Sequence, residues 1–532
     1  MLKNMFKNNL RILLLVSIAA TTLVMSSCVN SLNTTPIDKK VITSASAYNT
    51  PQDYEQILAK LYAGFATTGQ QGPAGDPDIQ GIDEGSSGYL RAYWMLEELP
   101  TDEAICAWND PGVPQLNTMT WGASNNFIMD MYDRIYYEIT LANEIISHAK
   151  TSSNPQVKEY MAEARYIRAL CYWHALDLYG GNVPFVTEKN GIGAYLPKPA
   201  ATTEAAGADS LFNYITGELK AIEPDLPAPG QNQQYRVDQA ADWTLLAKVY
   251  LNEQVYTGNS GYANCITYAK KVIDSGVYTL DPSYQHLFEA DNNTAKGIIW
   301  SIAFDGTHIQ TYAGTNYIVH AEVGGSMSGG SFGIDGGWAG NRLRPQFVDL
   351  FNNQTNDGRD MMYTNGQTKD IAKISDFTNG YATTKWTNMT STGSAGSNPS
   401  FVDTDFPMFR LADVYLMYAE AVVRSGDNAD MATAVGLINK LRERAYGNNS
   451  GDITQSQLTL PFILDERGRE LYWEATRRTD LIRFGEFTGS KYVWSWKGGV
   501  QNGTGTDSHF KLYPIPSTDL NANPNLTQNT GY

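Results

Sequence analysis

"YMAEARYIRALCYWHALDLYGG", Tyr160 to Gly181, carries the clearest structural signal in the chain. Ile167, Leu170, Cys171, His174, Ala175 and Leu178 recur at i, i+3, i+4, i+7, i+8 and i+11. That spacing keeps side chains on one helical face, and Gly180-Gly181 ends the run. His174 sits inside the face and reads as a core residue rather than a ligand. The same period returns in ADWTLLAKVYLNEQVY (241–256), FRLADVYLMYAEAVVRSG (409–426), ATAVGLINKLRERAYG (432–447) and ILDERGRELYWEATRRTDLIRFG (463–485). Short turns join these segments, so the chain is expected to be mainly α, a scaffold of tetratricopeptide-like helical hairpins, although no clean 34-residue repeat appears.

Other stretches are different in kind. Residues 67–124, 291–404 and 486–532 are rich in Gly, Asn, Ser, Thr and Trp, with short β-like runs such as GIIWSIAF (297–304). Segments of that length without regular structure usually carry function. The expected layout is one domain over 51–532, its helical scaffold mainly 51–66, 125–290 and 405–485, and its ligand-binding portion in the loop-rich regions.

The first residues describe an export signal. Lys3, Lys7 and Arg11 precede an apolar run from Ile12 to Met25, which is short for a bilayer span, and Ser26-Ser27-Cys28 follows. A Cys directly after small residues is the acceptor that bacterial lipoprotein processing requires. Residues 1–27 are expected to be removed, Cys28 to carry lipid, and 28–50 to form a tether to the membrane. Cleavage takes 39 basic residues to 36 against an unchanged 56 acidic ones, a net charge near −20. Such a field repels nucleic acid and favours neutral or cationic partners. Cys106, Cys171 and Cys265 remain, scattered and without a CxxC pair, so disulfides do not hold the fold.

Tests for catalysis find little. The histidines at 148, 174, 286, 308, 320 and 509 form no HExxH, and there is no GxSxG elbow. The glycine-rich run Gly324 to Asn341 lacks a P-loop Lys and reads as a flexible surface loop presenting Trp338. Asp83-Glu84 and Asp102-Glu103 are the carboxylates a glycoside hydrolase could use. PTDEA (100–104) reads instead as a helix start, with its acids where the macrodipole favours them. No cofactor is implied, though the oxygen-rich EADNNT (289–294) leaves structural calcium open.

The aromatic residues are more telling. Of 11 Trp, the seven at 94, 108, 121, 338, 386, 494 and 496 lie outside the clear helices. An aromatic face matches the C–H face of a pyranose ring, and neighbouring Asn, Asp and Arg suit its hydroxyls.

Five collinear stretches together resemble the SusD/RagB-type lipoproteins of Bacteroidetes: EARYIRALCYWHALDLYGGNVPF (163–185), DWTLLAKVYL (242–251), FRLADVYLMYAEA (409–421), ERGRELYWEATRRTDLIRFG (466–485) and YPIPSTDLNANPNLTQNTGY (513–532). The loops GIDEGSSGYLR (81–91), ELPTDEAICAW (98–108), VYTGNSGYA (255–263) and KYVWSWKGG (491–499) are similar to those of the family's starch-binding founder. The resemblance implies a tetratricopeptide-like scaffold under a loop-rich surface that binds glycan without hydrolysing it. It also implies a place on the outer face of the outer membrane, handing glycan to a SusC-like TonB-dependent transporter. The founder's polar pair falls on Asp83 and Arg91, and two of its three arc aromatics fall on Tyr312 and Trp338. The third falls on Cys106, which cannot stack a sugar. Trp108 matches a neighbouring Trp, and the founder's binding Asn lies near Asn109 or Asp110. The expected ligand is starch or another α-glucan, with weaker stacking at Cys106 unless Trp108 or Trp94 turns in; a different neutral glycan, a hydrolase and a protein-only adaptor are the alternatives.

Overall fold

The signal stretch becomes the longest helix of a computed structural model that describes residues 47–73, 75–190, 196–426 and 428–532. The expected signal peptide, Cys28 and most of the expected tether lie outside the described residues. Among the described residues, no helix is long and apolar enough to cross a membrane.

Helices dominate, in the order α1 (Pro51–Ala63), α2 (Tyr89–Glu98), α3 (Asn126–Ala149), α4 (Pro155–Tyr179), α5 (Glu204–Ile222), α6 (Gln239–Leu251), α7 (Tyr262–Asp274), α8 (Gly314–Glu322), α9 (Leu411–Ser425), α10 (Met431–Tyr446), α11 (Leu460–Leu471) and α12 (Arg477–Arg483). Sequence sets their ends. Asn125 and Asn154 cap α3 and α4 by accepting from the second and third backbone N–H groups, and Pro155 fills a first-turn position that needs no donor. Gly180 ends α4 at φ 75°, and at Gly181 a Cβ would lie 1.9 Å from the carbonyl oxygen of Glu204, so only glycine lets α5 approach.

Neighbouring helices stack pairwise: α3 on α4, α4 on α5, α6 on α7, α7 on α9, and α9 on both α10 and α11. The predicted face of α4 is buried throughout. His174 is fully buried, stacks on Tyr93 at 4.2 Å and meets the Tyr89 hydroxyl 2.7 Å from Nδ1. Burial pushes its pKa down to about 3, so it is a neutral core residue.

Strands are short and antiparallel. β1 (Ala104–Cys106) pairs with β3 (Asn341–Leu343), β2 (Ile298–Ile302) with β6 (Phe406–Arg410), and β4 (Met362–Tyr363) with β5 (Ala382–Thr383). The first pair brings Cys106 opposite Asn341 and so fixes the loops that carry Trp108 and Trp338.

Two expectations are corrected here. PTDEA does not start a helix: it follows α2 and runs into β1, with Asp102 and Glu103 fully buried. Both Asp102 oxygens accept from Arg477, at 2.8 and 2.7 Å, and Glu103 accepts the Trp473 N–H. The acids are buried because distant residues pair with them. The run 463–485 is likewise two helices, since Trp473 and Ala475 between α11 and α12 take positive φ of 61° and 55°. Tertiary contacts impose that break: the Trp473 N–H is bound by Glu103, and its carbonyl accepts from Trp94 Nε1.

Around α11 and α12 lies a buried ionic lattice. Glu470 is contacted by Arg359, Arg410 and Arg444, and Glu466 by Arg359, Arg442 and Arg469. Arg467 bridges Asp413 and Asp480, and Arg483 bridges Glu420 and Asp480. Buried charges survive only when paired and hydrogen-bonded on several sides, and these are.

Candidate functional site

Trp108, Trp338 and Tyr312 come together although 230 residues separate the first two in sequence. Trp108 and Trp338 have ring centroids 6.3 Å apart at 45°, and Trp338 and Tyr312 are 6.4 Å apart at 55°. Neither pair is coplanar. The three rings therefore form a non-coplanar series, with Tyr312 38% exposed and both tryptophans half-buried.

Each ring is held from behind. Trp108 donates from Nε1 to the Trp338 carbonyl at 3.0 Å, and its indole lies on Gly340, where a Cβ would come within 2.8 Å of the ring. Trp338 stacks on His320 with centroids 4.6 Å apart at 21°. Its N–H donates to the His320 carbonyl, while those of Ala339 and Gly340 donate to Val323 and Ala321. The glycine-rich segment is thus pinned to α8 and its exit, which corrects its reading as a flexible loop. Glycine there permits close packing: a Cβ on Gly337 would lie 2.0 Å from the Val323 carbonyl oxygen.

Arg91, on α2, organises the floor. Its guanidinium lies 4.5 Å from the Tyr317 ring and 5.7 Å from that of Trp108, and Nη1 donates to the carbonyls of Gly85 and Tyr312. It is 9% exposed, and its bond to the Tyr312 carbonyl orients that segment. Burial lowers its pKa, and its charge is offset by the aromatic faces and by Asp110 and Asp83. Asp83 is exposed and accepts from the Ser86 N–H and hydroxyl, both at 2.8 Å, which fixes its carboxylate beside Gly85. Asn109 is exposed next to Trp108. The predicted residues at 83, 91, 108, 312 and 338 therefore form one neighbourhood, with Asn109 at its edge.

Cys106 does not belong to that surface. It is fully buried in β1, its backbone bracketed by the Asn117 side chain, and burial pushes its thiol up to about 11. Trp108, two residues on, supplies the third ring, so no ring is missing from the arc. Trp94 cannot turn in either: it is a fully buried residue of α2. Trp386 and Trp494 are core plugs with no exposure, and Trp121 is 3% exposed. Of the seven tryptophans, only 108, 338 and 496 are partly exposed. Sequence reading missed His320; a histidine six residues from the start of α8 gives no signal of the ring it supports.

At EADNNT, His286, Glu289 and Asp291 offer ligand atoms within 4.8 Å of one another. Asp291 is bound by Ser391, and His286 by Asp281 and Thr294. One nitrogen among three donors, two of them with protein partners, is a poor match to the oxygen shell of calcium.

The chain belongs to the SusD family, whose sequence model matches residues 245–532. It is 36% identical to the starch-binding protein SusD of Bacteroides thetaiotaomicron over 96% of both chains. The SusD-like protein P25 of Formosa agariphila is 26% identical over 76% of this chain and 79% of that one. Among solved structures, a SusD homologue from B. thetaiotaomicron superposes with a TM-score of 0.71 at 20% identity, covering 92% of this chain and 98% of that one. Surface glycan-binding protein A from the same organism, solved with laminarihexaose, superposes at 0.69 and 18% identity over 90% and 100%. The mainly helical SusD-like fold is shared throughout. Membership of this family makes the chain a binding protein rather than an enzyme.

Proposed function

We propose that this chain is a cell-surface lipoprotein that captures a neutral glycan, foremost an α-glucan, on the Trp108–Trp338–Tyr312 arc and passes it to a SusC-like TonB-dependent transporter. Cys28, following the apolar run at the start of the chain, would carry the lipid. The observation that carries the reading is the tilt between successive rings, 45° and 55°. Rings tilted in one sense would match the sugar faces of a helical glucan. They would fit a flat ribbon poorly, because a preorganised surface cannot follow both shapes. Asp83 and Arg91 stand beside the rings to bond hydroxyls, and the relative at 36% identity is named for starch binding. Delivery to a transporter rests on the family resemblance.

Calorimetry with malto-, cello- and laminari-oligosaccharides on the form lacking residues 1–28 tests this. Binding confined to the malto series is expected. Preference for cello- or laminari-oligosaccharides, or no binding at all, would overturn the α-glucan reading.

A further inference from the structure

The arc does not stop at Tyr312. Phe401 lies with its ring centroid 5.4 Å from that of Tyr312 at 46°, a spacing and tilt close to those of the two earlier steps. It remains partly exposed in SNPSFVD (397–403), a loop that is polar apart from Pro399, Phe401 and the buried Val402. We propose that Phe401 is a fourth rung of the glycan-binding surface, one that makes the site read chain length. This rests on the glycan-capture reading above.

Two observations separate a rung from a chance contact. The loop is built rather than loose: Ser397 donates from N–H and hydroxyl to Asp403, the Asp403 N–H donates to Asn388 Oδ1, and the Val402 N–H to Asn316 Oδ1. It is also tied to the segment that carries Tyr312, since the Gly306 N–H donates to Asp403 Oδ1 at 2.7 Å. The Phe401 loop is thus tied to the Tyr312 segment, and a preorganised ring costs little ordering on binding. Phenylalanine adds stacking area but no hydroxyl, so it contributes contact with a sugar face and no hydrogen bond of its own. A ligand long enough to cover Trp108, Trp338 and Tyr312 gains the fourth ring only through one more sugar at that end.

Calorimetry with maltotriose through maltoheptaose on the wild type, Phe401→Ala, Phe401→Leu and Trp338→Ala reads this directly. The wild type should gain affinity with length. Both Phe401 variants should bind the shortest ligands as the wild type does and lose about three- to tenfold on the longest. The leucine keeps the apolar packing and so guards against a loop that unfolds. Equal loss at every length would make Phe401 a mere prop for Tyr312 and overturn the proposal, as would wild-type behaviour at every length. Failure of Trp338→Ala to weaken any ligand would instead sink the glycan-capture reading itself.

Discussion

Arg477 and Trp338 are both planar groups held by their surroundings, but protein closes around the first and leaves the second partly exposed. Arg477 spends its donors on Asp102 and the Leu464 carbonyl, wholly inside the molecule. Trp338 stacks on His320 and remains partly exposed. The difference separates two tasks. The ionic lattice ties down the segments around α11 and α12, whereas the arc is proposed to present aromatic surface to a ligand. A single stretch links them: Asp102 and Glu103 lock onto Arg477 and Trp473, and Trp108, six residues beyond Asp102, locks onto Trp338.

Breaking the lattice should have the largest effect. Arg477→Ala leaves Asp102 buried without its cationic partner, which costs about 3–5 kcal/mol. Chemical denaturation should show that loss, with glucan binding falling only as the folded fraction falls. A stability change under about 1 kcal/mol would mean the lattice does not carry the segment.

Acidity separates the regions next. Burial raises the carboxyls of Asp130 and Asp405 to about 7 and of Glu138 to about 8. The folded state then keeps protons that the unfolded chain releases above about pH 4, so their contribution is complete below that and is lost as pH rises through 7 to 8. Glu466 works in the other sense. Burial opposes its charge, but Arg359, Arg469 and Arg442 hold it down to about 2, so its contribution is complete above its unfolded value and fades as pH falls toward 2. Melting temperature should peak between about pH 4 and 5 and decline toward 8. Glucan affinity should vary less with pH than the melting temperature does, because the aromatic faces that carry most of the contact do not titrate. A melting temperature rising steadily to pH 8 would contradict the assignment.

Smaller changes sharpen the boundary. Gly340→Ala puts a methyl against the Trp108 indole and should weaken glucan binding several-fold while costing about 1–3 kcal/mol of stability. Unchanged affinity would show that the Trp108 orientation does not matter. Cys106→Ala should cost about 1 kcal/mol through looser packing and leave the glucan Kd within about twofold. A larger effect on binding would return Cys106 to the site.

The helices were legible because their periodicity is local: the α4 face can be read within 12 residues, from Ile167 to Leu178. The lattice was not, because ERGRE looks like a solvated helix face until its partners are known, and Arg477 meets Asp102 across 375 residues. The break at Trp473 was invisible for the same reason, with neither Gly nor Pro to mark it. Of the site, Asp83, Arg91, Tyr312 and Trp338 came through family resemblance rather than spacing. That resemblance puts an arc position on Cys106, where strand pairing shows a buried thiol and leaves Trp108 at the surface. Phe401 escaped because one Phe in a polar loop has no periodic signature.

The central claim is that a rigid aromatic arc binds helical glucan independently of the scaffold's stability. Titrating maltoheptaose into wild-type and Trp338→Ala protein, with melting temperatures recorded on the same samples, tests it most directly. We predict a loss of affinity of about tenfold or more, about 1.4 kcal/mol, with both proteins still fully folded at the titration temperature. Equal affinities for the two proteins would contradict it.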